Sequence, residues 1–393
     1  LDLGSLCISD FVAEGQQGDR APLGLVRCPE CQLVQLRHTV NRERLYSHYT
    51  YRSSMNESMV VALQDVVDEA IGRRPLQLGD RVLDVGCNDG TMLRMFPDVA
   101  YRDGFEPSNL AHLAERATDT IWESYFPPKW PPTKKYDIIT SCACFYDVDD
   151  PGAFVEGIKG WLKPDGIWVN QMSDLSMMLN ANAFDNICHE HLTYWSYYPF
   201  HRLCREHGLR ISGMSLNNVN GGSARYVVEH DPKPLPASTQ GKIDMGRGPI
   251  DAFAHRVRQL RLETKWLLDD LHSRGKRIWG YGASTKGNTL LQYYGIRPEL
   301  IEGIADRNPE KWGRETVGTH IPIAPEESMR IARPDYLFIL PWAVHFIEAF
   351  KVREAAFLAR GGRFIVPLPT LKIVGGDADA GVLTEHAAAG ARD

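Results

Sequence analysis

The sequence predicts two α/β units in series, each a mostly parallel sheet covered by helices. Three observations carry this. Strand-like and helix-like segments alternate along most of the chain, the pattern of a parallel sheet buried on both faces. Two segments repeat one grammar of strand, Gly-rich turn and helix: Arg81 to Gly90 followed by Thr91 to Phe96, and Arg277 to Gly287 followed by Asn288 to Tyr293. The chain has 393 residues, more than one hydrophobic core fills, since cores stop growing near about 250–300 residues.

The elements follow in order. Met59 to Gly72 is helix-like, and strands are expected at Arg81–Val85, Gly104–Glu106 and Tyr136–Ser141. A helix at Pro151–Leu162 and a strand at Gly166–Met172 continue the alternation. Helix Pro199–His207 is then followed by two strands in a row, Leu209–Leu216 and Gly222–His230, which predicts that the last strand runs antiparallel. Asp231 to Gly241, continuing to Pro249, is rich in Pro and Gly and reads as a linker. Beyond it, Ala252–Leu271 is helix-like, and strands at Arg277–Tyr281, Ile301–Ile304, Tyr336–Leu340 and Arg363–Val366 are spaced for a second parallel sheet. The Ala/Gly-rich end reads as a mobile tail. The expected division is 1–57, 58–232, 246–375 and a tail over 376–393.

Hydrophobic residues make up 43% and charged residues 24%, the balance of a packed protein rather than a disordered one. A net charge of −6 leaves no basic excess for a phosphate backbone or an anionic membrane, so neither nucleic acid nor membrane is expected as a partner. No apolar run approaches the roughly 20 residues that span a bilayer, and no signal peptide is visible, so the expected location is cytoplasmic. Eight cysteines are too sparse for a disulfide framework. Cys142, Cys144 and Cys204 lie in apolar contexts and read as buried small hydrophobes.

The first glycine turn carries the most chemistry. Asp84-Val-Gly86-Cys-Asn88-Asp-Gly90 is expected between a strand and a helix, where glycines let a ligand approach the backbone and helix amides face it. Glu106, followed by Pro107, ends the next strand, where a carboxylate can accept both hydroxyls of a ribose. The spacing departs from G-x-G-x-x-G, which favours an adenosine cofactor without phosphates, and S-adenosylmethionine fits best. A tight structural turn with a surface glutamate is the alternative.

At these residues the chain resembles the class I methyltransferases. The resemblance narrows when Val26–Leu36 with its Cys28-Pro-Glu-Cys31, His48–Ser54, Asn186–Leu192, Asn220-Gly-Gly-Ser223 and Gly280–Gly287 are read together. The sequence is similar to sugar C-methyltransferases that act on nucleotide-linked keto-deoxyhexoses, over about Leu23 to Leu371. The resemblance implies an N-terminal zinc-binding module, a central cofactor domain and a C-terminal Rossmann-like domain enclosing a sugar nucleotide, in a monomer or homodimer. Cys28 and Cys31 have the C-x2-C spacing of a zinc knuckle. The family carries a second cysteine pair upstream, and a chain beginning at Leu1 does not show it; Cys7 is a candidate third ligand.

In the family, the second His of Cys188-His189-Glu190-His191 is the general base, so that role falls on His191. A carbon beside a carbonyl is methylated only after its proton is removed, and the resulting enolate attacks the sulfonium methyl. His189, Glu190, Tyr49, Tyr51, Asn220, Gly222 and Ser223 are candidates for donor or positioning roles, although two loop-bonded His and two core Tyr are the plainer alternatives. The sequence departs from the family at four places: Cys188 stands for a Tyr, Asp147 for a His, Asn220 for a His and Ala343 for an Asn. Asp147 is itself a candidate for holding or serving as a base. At the second turn, Ser284 and Lys286 suit a diphosphate, with a dinucleotide or a ligand-free relic as rivals. The departures keep open O-methylation of a sugar-like intermediate, or a sugar-nucleotide binding protein that has lost catalysis.

Overall fold

A computed structural model describes residues 1–41, 45, 51–55, 57–232 and 248–375. Most of the expected linker, the expected tail and Tyr49 lie outside the described residues.

The central sheet has seven strands in the order Leu209–Asn217, Ser223–His230, Leu162–Ser173, Tyr136–Cys142, Arg81–Val85, Tyr101–Phe105, Thr120–Trp122. Neighbours from Leu162–Ser173 onward pair in parallel. Ser223–His230 runs antiparallel to both of its neighbours, as two consecutive strands at the end of an alternating run require. Tyr136–Cys142 is buried along nearly its whole length, because helices cover both faces of the sheet. On one face helix Glu57–Arg73 buries Leu63, Val66, Val67 and Ala70, a three- and four-residue spacing that turns one stripe inward. On the other, helix Pro151–Trp161 buries Phe154, Val155, Ile158 and Trp161. It starts where Asp150 caps it by accepting from the Ala153 amide at 2.9 Å, with Pro151 in its first turn.

The second sheet has the order Ile323–Ala324, Ile304–Ala305, Ile278–Tyr281, Tyr336–Ile339, Arg363–Val366, Lys372–Val374. Its first five strands are parallel and the last is antiparallel. Helix Thr285–Tyr294 follows the Gly280–Gly287 turn as expected. Ser284 caps its start by accepting from the Gly287 amide at 2.9 Å, and Gly295 ends it at φ 69°.

The first turn is not followed by an α-helix, against the sequence expectation. Only a single 3-10 turn, Leu93–Met95, forms there. Pro97 is the physical reason: it leaves Phe96 in extended backbone at φ −71°, ψ 143°, so too few residues remain to propagate a helix.

The N-terminal residues form a sheet of Asp2–Cys7, Arg20–Arg27 and Val34–Leu36, completed by Thr193–Tyr194 from beyond the central sheet. Phe11–Val12 pairs with Glu315–Thr316 of the second unit. One core joins Leu6, Leu25 and Leu36 with Phe184 and Leu192 and with Leu268, Leu290 and Ile304. The N-terminal strands, the segment after Ser173 and the second sheet are therefore packed as one body beside the first sheet. No helix among the described residues is long and apolar enough to cross a membrane.

Candidate active site

A cleft of about 580 Å³ lies at the carboxyl ends of the first sheet's strands, lined by Val85, Gly86, Phe105, Glu106 and Cys142 on one side and by Glu190, His191, Asn220 and Lys286 on the other. This is where ligand sites form in parallel sheets, because the loops that leave the strands diverge there.

On the first side, the chain leaves Val85 through Gly86 at φ 76° and Asn88 at φ 53°. A Cβ on Gly86 would stand 3.0 Å from the Cys144 Cβ, so a side chain would both strain the turn and crowd the wall. The Asn88 amide donates to Glu106 Oε2 at 2.8 Å, and the Ser108 amide donates to Oε1 at 2.9 Å. The Glu106 carboxylate is thereby held rigidly at the cleft edge, with lone pairs left for hydroxyl donors. Pro107 stands beside it on the same wall. These residues fit an adenosine cofactor, with the ribose at Glu106.

Two expected cofactor residues work from behind the wall. Asp84 is buried and accepts from Thr140 Oγ1 at 2.8 Å; burial pushes its carboxyl up to about 8, against the Thr140 bond. Gly90, at φ 74°, packs beneath Ala114 and Ala117. Both shape the turn without lining the cleft. Asn88 Oδ1 accepts from the Ser53 amide at 3.0 Å and its Nδ2 donates to the Tyr51 carbonyl at 3.0 Å, while Asp89 Oδ2 accepts from the Ser54 amide at 3.1 Å. The turn thus staples residues 51–54 over the cleft, and Tyr51 lines it. Asp89 was not among the expected site residues.

On the opposite side, His191 Nδ1 lies 2.8 Å from the Asn186 carbonyl. A carbonyl only accepts, so Nδ1 carries the proton and Nε2 is left as the acceptor. The Tyr146 ring meets the imidazole edge-on at 4.5 Å between centroids. Burial, helped by the charge of Lys286 and opposed by the Asn186 bond, pulls the imidazole down to about 3. His191 is therefore neutral at physiological pH. Glu190 moves the other way: burial, and then the charge of Asp10, push its carboxyl up to about 7. Asp147 and Asn220 line the same cleft, and Lys286 Nζ donates to the Asn220 carbonyl at 3.0 Å.

Other expected residues sit elsewhere. His189 is buried, with Nε2 3.2 Å from the Ala21 carbonyl, so it fastens the N-terminal strands and does not face the cleft. Ser223 is buried and donates to the Val219 carbonyl at 2.9 Å. Gly222, at φ 128°, is pressed against Met177. Both hold the Asn220 loop in shape. Ser284 Oγ accepts from the Gly287 amide as a helix cap, which leaves its O–H as a donor. Asp10, Tyr146 and Asp185 were missed: nothing in the spacing of the N-terminal residues signals that Asp10 reaches the cleft.

The metal expectation is corrected in part. Among the described residues no group of three His, Cys, Asp or Glu could hold a metal. Cys7 is buried against Val12 and Val317 and pairs with Arg20 at the start of Arg20–Arg27. Cys28 follows the far end of that strand, roughly 25 Å away at about 3.3 Å per residue. Cys7 is no third ligand. Amides of Cys31 and Glu30 hold the Cys28 thiol below its ordinary range, the donor arrangement of a thiolate knuckle.

Comparison with known proteins gives two family matches and one long relative. A family described as a methyltransferase domain matches residues 55–212, and a family described as a C-methyltransferase C-terminal domain matches residues 218–369. The C-methyltransferase NovU of Streptomyces niveus is 30% identical over 375 residues, covering 90% of this chain and 87% of that protein. A malonyl-[acyl-carrier protein] O-methyltransferase of Porphyromonas gingivalis is 28% identical over 93 residues, 23% of this chain and 36% of that protein. Among solved structures, the magnesium protoporphyrin IX methyltransferase of Synechocystis PCC 6803 with bound S-adenosylhomocysteine aligns at 12% identity and a TM-score of 0.38, covering 48% of this chain and 93% of that one.

Proposed function

Because this chain belongs to the S-adenosylmethionine-dependent C-methyltransferases, and its first sheet has their class I fold, we propose that it methylates the carbon beside the ketone of a nucleotide-linked keto-sugar. The observation that carries this reading is His191: an imidazole kept neutral, with Nδ1 tied to the Asn186 carbonyl and Nε2 left as acceptor, on the wall of the cleft that Gly86 and Glu106 also line.

The chemistry follows from the residues. Glu106 takes the ribose hydroxyls, Gly86 and Asn88 give the cofactor close access to backbone, and Pro107 bounds the pocket. S-adenosylmethionine supplies an electrophilic methyl group. His191 Nε2 takes the proton beside the acceptor's carbonyl, the C–H pair becomes a C=C bond, and the carbonyl pair moves onto oxygen. Tyr51, Asn220 and Asp147 border the acceptor, and Glu190, poised near neutrality, relays or holds a proton. Cys188 cannot replace the family's phenol: burial pushes its thiol well above neutral pH, and a thiol is a weak donor.

The division into residues 1–57, 58–232, 246–375 and 376–393 belongs to this proposal. The strand order 3-2-1-4-5-6 of the second sheet supports a Rossmann-like unit there. Zinc at Cys28 and Cys31 would be structural and needs two ligands beyond them.

Proton exchange tests the function. In heavy water without cofactor, the protein should wash deuterium into the carbon beside the carbonyl of one member of a panel of thymidine-, GDP- and CDP-linked keto-sugars. His191→Ala should lower that rate by about 10²–10⁴-fold with cofactor affinity nearly intact. A panel that methylates on oxygen and never exchanges would overturn the reading.

A further inference from the structure

Resting on that reading, we propose that Lys286 is the catalytic electrophile of the reaction, its ammonium taking the enolate oxygen that a phenol would take if Cys188 were a tyrosine. The residue belongs to the second unit's helix Thr285–Tyr294, yet its Nζ crosses to the first site, donates to the Asn220 carbonyl at 3.0 Å and lines the cleft with His191 and Glu190. Among the described residues that bond uses one of its three N–H donors, leaving two for the acceptor.

Three groups feel its charge: His191, the buried carboxylate of Asp185 and the thiol of Cys188. Asp185 is fixed from the other side by Trp342 Nε1 at 2.7 Å, and its Oδ1 is buried without a hydrogen-bond partner among the described residues. Burial raises the Asp185 carboxyl above its ordinary range, and the charge of Lys286 is the largest influence working against that. Burial pulls the Lys286 ammonium below its ordinary range, and Asp185 and then Cys188 work against that, so its charge is coupled to a base, a carboxyl and the residue that replaces the phenol. A diphosphate ligand would sit a sugar ring away from the carbon that loses its proton, whereas Lys286 shares the electrostatic surroundings of the base itself.

The step balances with residues already present. His191 Nε2 takes the proton, and the charge that develops on the carbonyl oxygen is met by the Lys286 N–H groups. When the new C–C bond forms, the oxygen pair returns to the carbonyl and the C–S pair leaves with S-adenosylhomocysteine. The proton on His191 passes to water. The charge that meets the enolate also adds to burial in keeping the base neutral before it acts. Glu190, Asp147, Asp185 and Asp10 are the acidic groups around this pair.

The test compares wild type with Lys286→Gln and Lys286→Arg on the keto-sugar that wild type exchanges. Loss of an oxyanion donor typically costs about 10²–10³-fold, and a fall of that size is expected in the exchange rate of Lys286→Gln. Calorimetric affinities for S-adenosylhomocysteine and for thymidine diphosphate alone should stay within about threefold. The acid limb of the exchange rate should move up part of the way toward the ordinary imidazole range, because burial, the larger cause, still holds His191 down while the added charge of Lys286 is gone. Lys286→Arg should recover most of the rate and keep the low acid limb. Exchange that survives in Lys286→Gln, or thymidine diphosphate affinity that falls in step with the rate, would overturn the proposal, the second result marking Lys286 as a diphosphate ligand. If Lys286→Gln does not fold, an acid limb that rises in Lys286→Arg overturns it alone. Absence of exchange from wild type would instead remove the keto-sugar reading, and with it the enolate.

Discussion

The two sheets begin alike and end differently. Each has a strand, a glycine turn and an acid after the neighbouring strand, but at the first turn the glycine Gly86 and the acid Glu106 both face the cleft, whereas at the second only Thr285 and Lys286 reach it and the rest of the turn and its acid Asp306 are engaged by the chain itself. Ser9 Oγ donates to the Thr285 carbonyl at 2.9 Å, and Asn288 Nδ2 donates to the Asp10 carbonyl at 2.8 Å. Lys311 lies 5.0 Å from the centre of the Phe11 ring and donates to the Ala283 carbonyl at 2.7 Å. Asp306, the counterpart of Glu106, spends Oδ1 on the Asn308 amide at 2.8 Å and pairs Oδ2 with Lys311 at 3.3 Å. A glycine turn between strand and helix is therefore not a ligand site in itself. What surrounds the turn differs between the two, and at the second the N-terminal residues Ser9 to Phe11 occupy the space beside it.

Substitutions at the two turns should separate on that basis. The largest effect is expected at Gly86→Ala, where an L-residue must hold φ 76° with its Cβ 3.0 Å from Cys144. A stability loss of about 1–3 kcal/mol should appear in denaturant melts, together with at least a tenfold loss of S-adenosylhomocysteine affinity. Ser284→Ala at the second turn removes only a helix cap, worth about 1 kcal/mol. Its midpoint should drop slightly and its cofactor affinity should not change. Equal losses of cofactor affinity at both turns would erase the distinction.

Much of the first sheet was legible because its strands are long and its turns carry glycine. The expected strands at 81–85, 136–141 and 363–366 and the reversed strand ending at His230 all lie where the alternation placed them. His191 and Glu106 were legible as residues, but only the structure shows Nδ1 tied to Asn186 and a carboxylate pinned by two amides. The helix after Gly90 failed because Pro97 overrode a weak local preference. Strands of two or three residues, such as Ile323–Ala324 and Thr120–Trp122, are too short to show a period of two. Lys286 was legible only through its own turn, as a candidate diphosphate contact, and its bond to the Asn220 carbonyl, 66 positions away, is visible only in the structure. His189 read as a donor because nothing in sequence links it to Ala21, 168 positions upstream. Contacts of that separation are set by how the units pack, which no local pattern records.

The central claim is that one crevice, the one with Glu106 on its wall, holds the cofactor. Titration of S-adenosylhomocysteine into wild type, Glu106→Ala and Asp306→Ala tests it most directly. Losing the hydrogen bonds from two ribose hydroxyls to a charged acceptor, about 1.5–3 kcal/mol each, should weaken binding to Glu106→Ala by at least about a hundredfold, while Asp306→Ala binds like wild type. Undiminished binding to Glu106→Ala, or weakened binding to Asp306→Ala alone, would contradict the account.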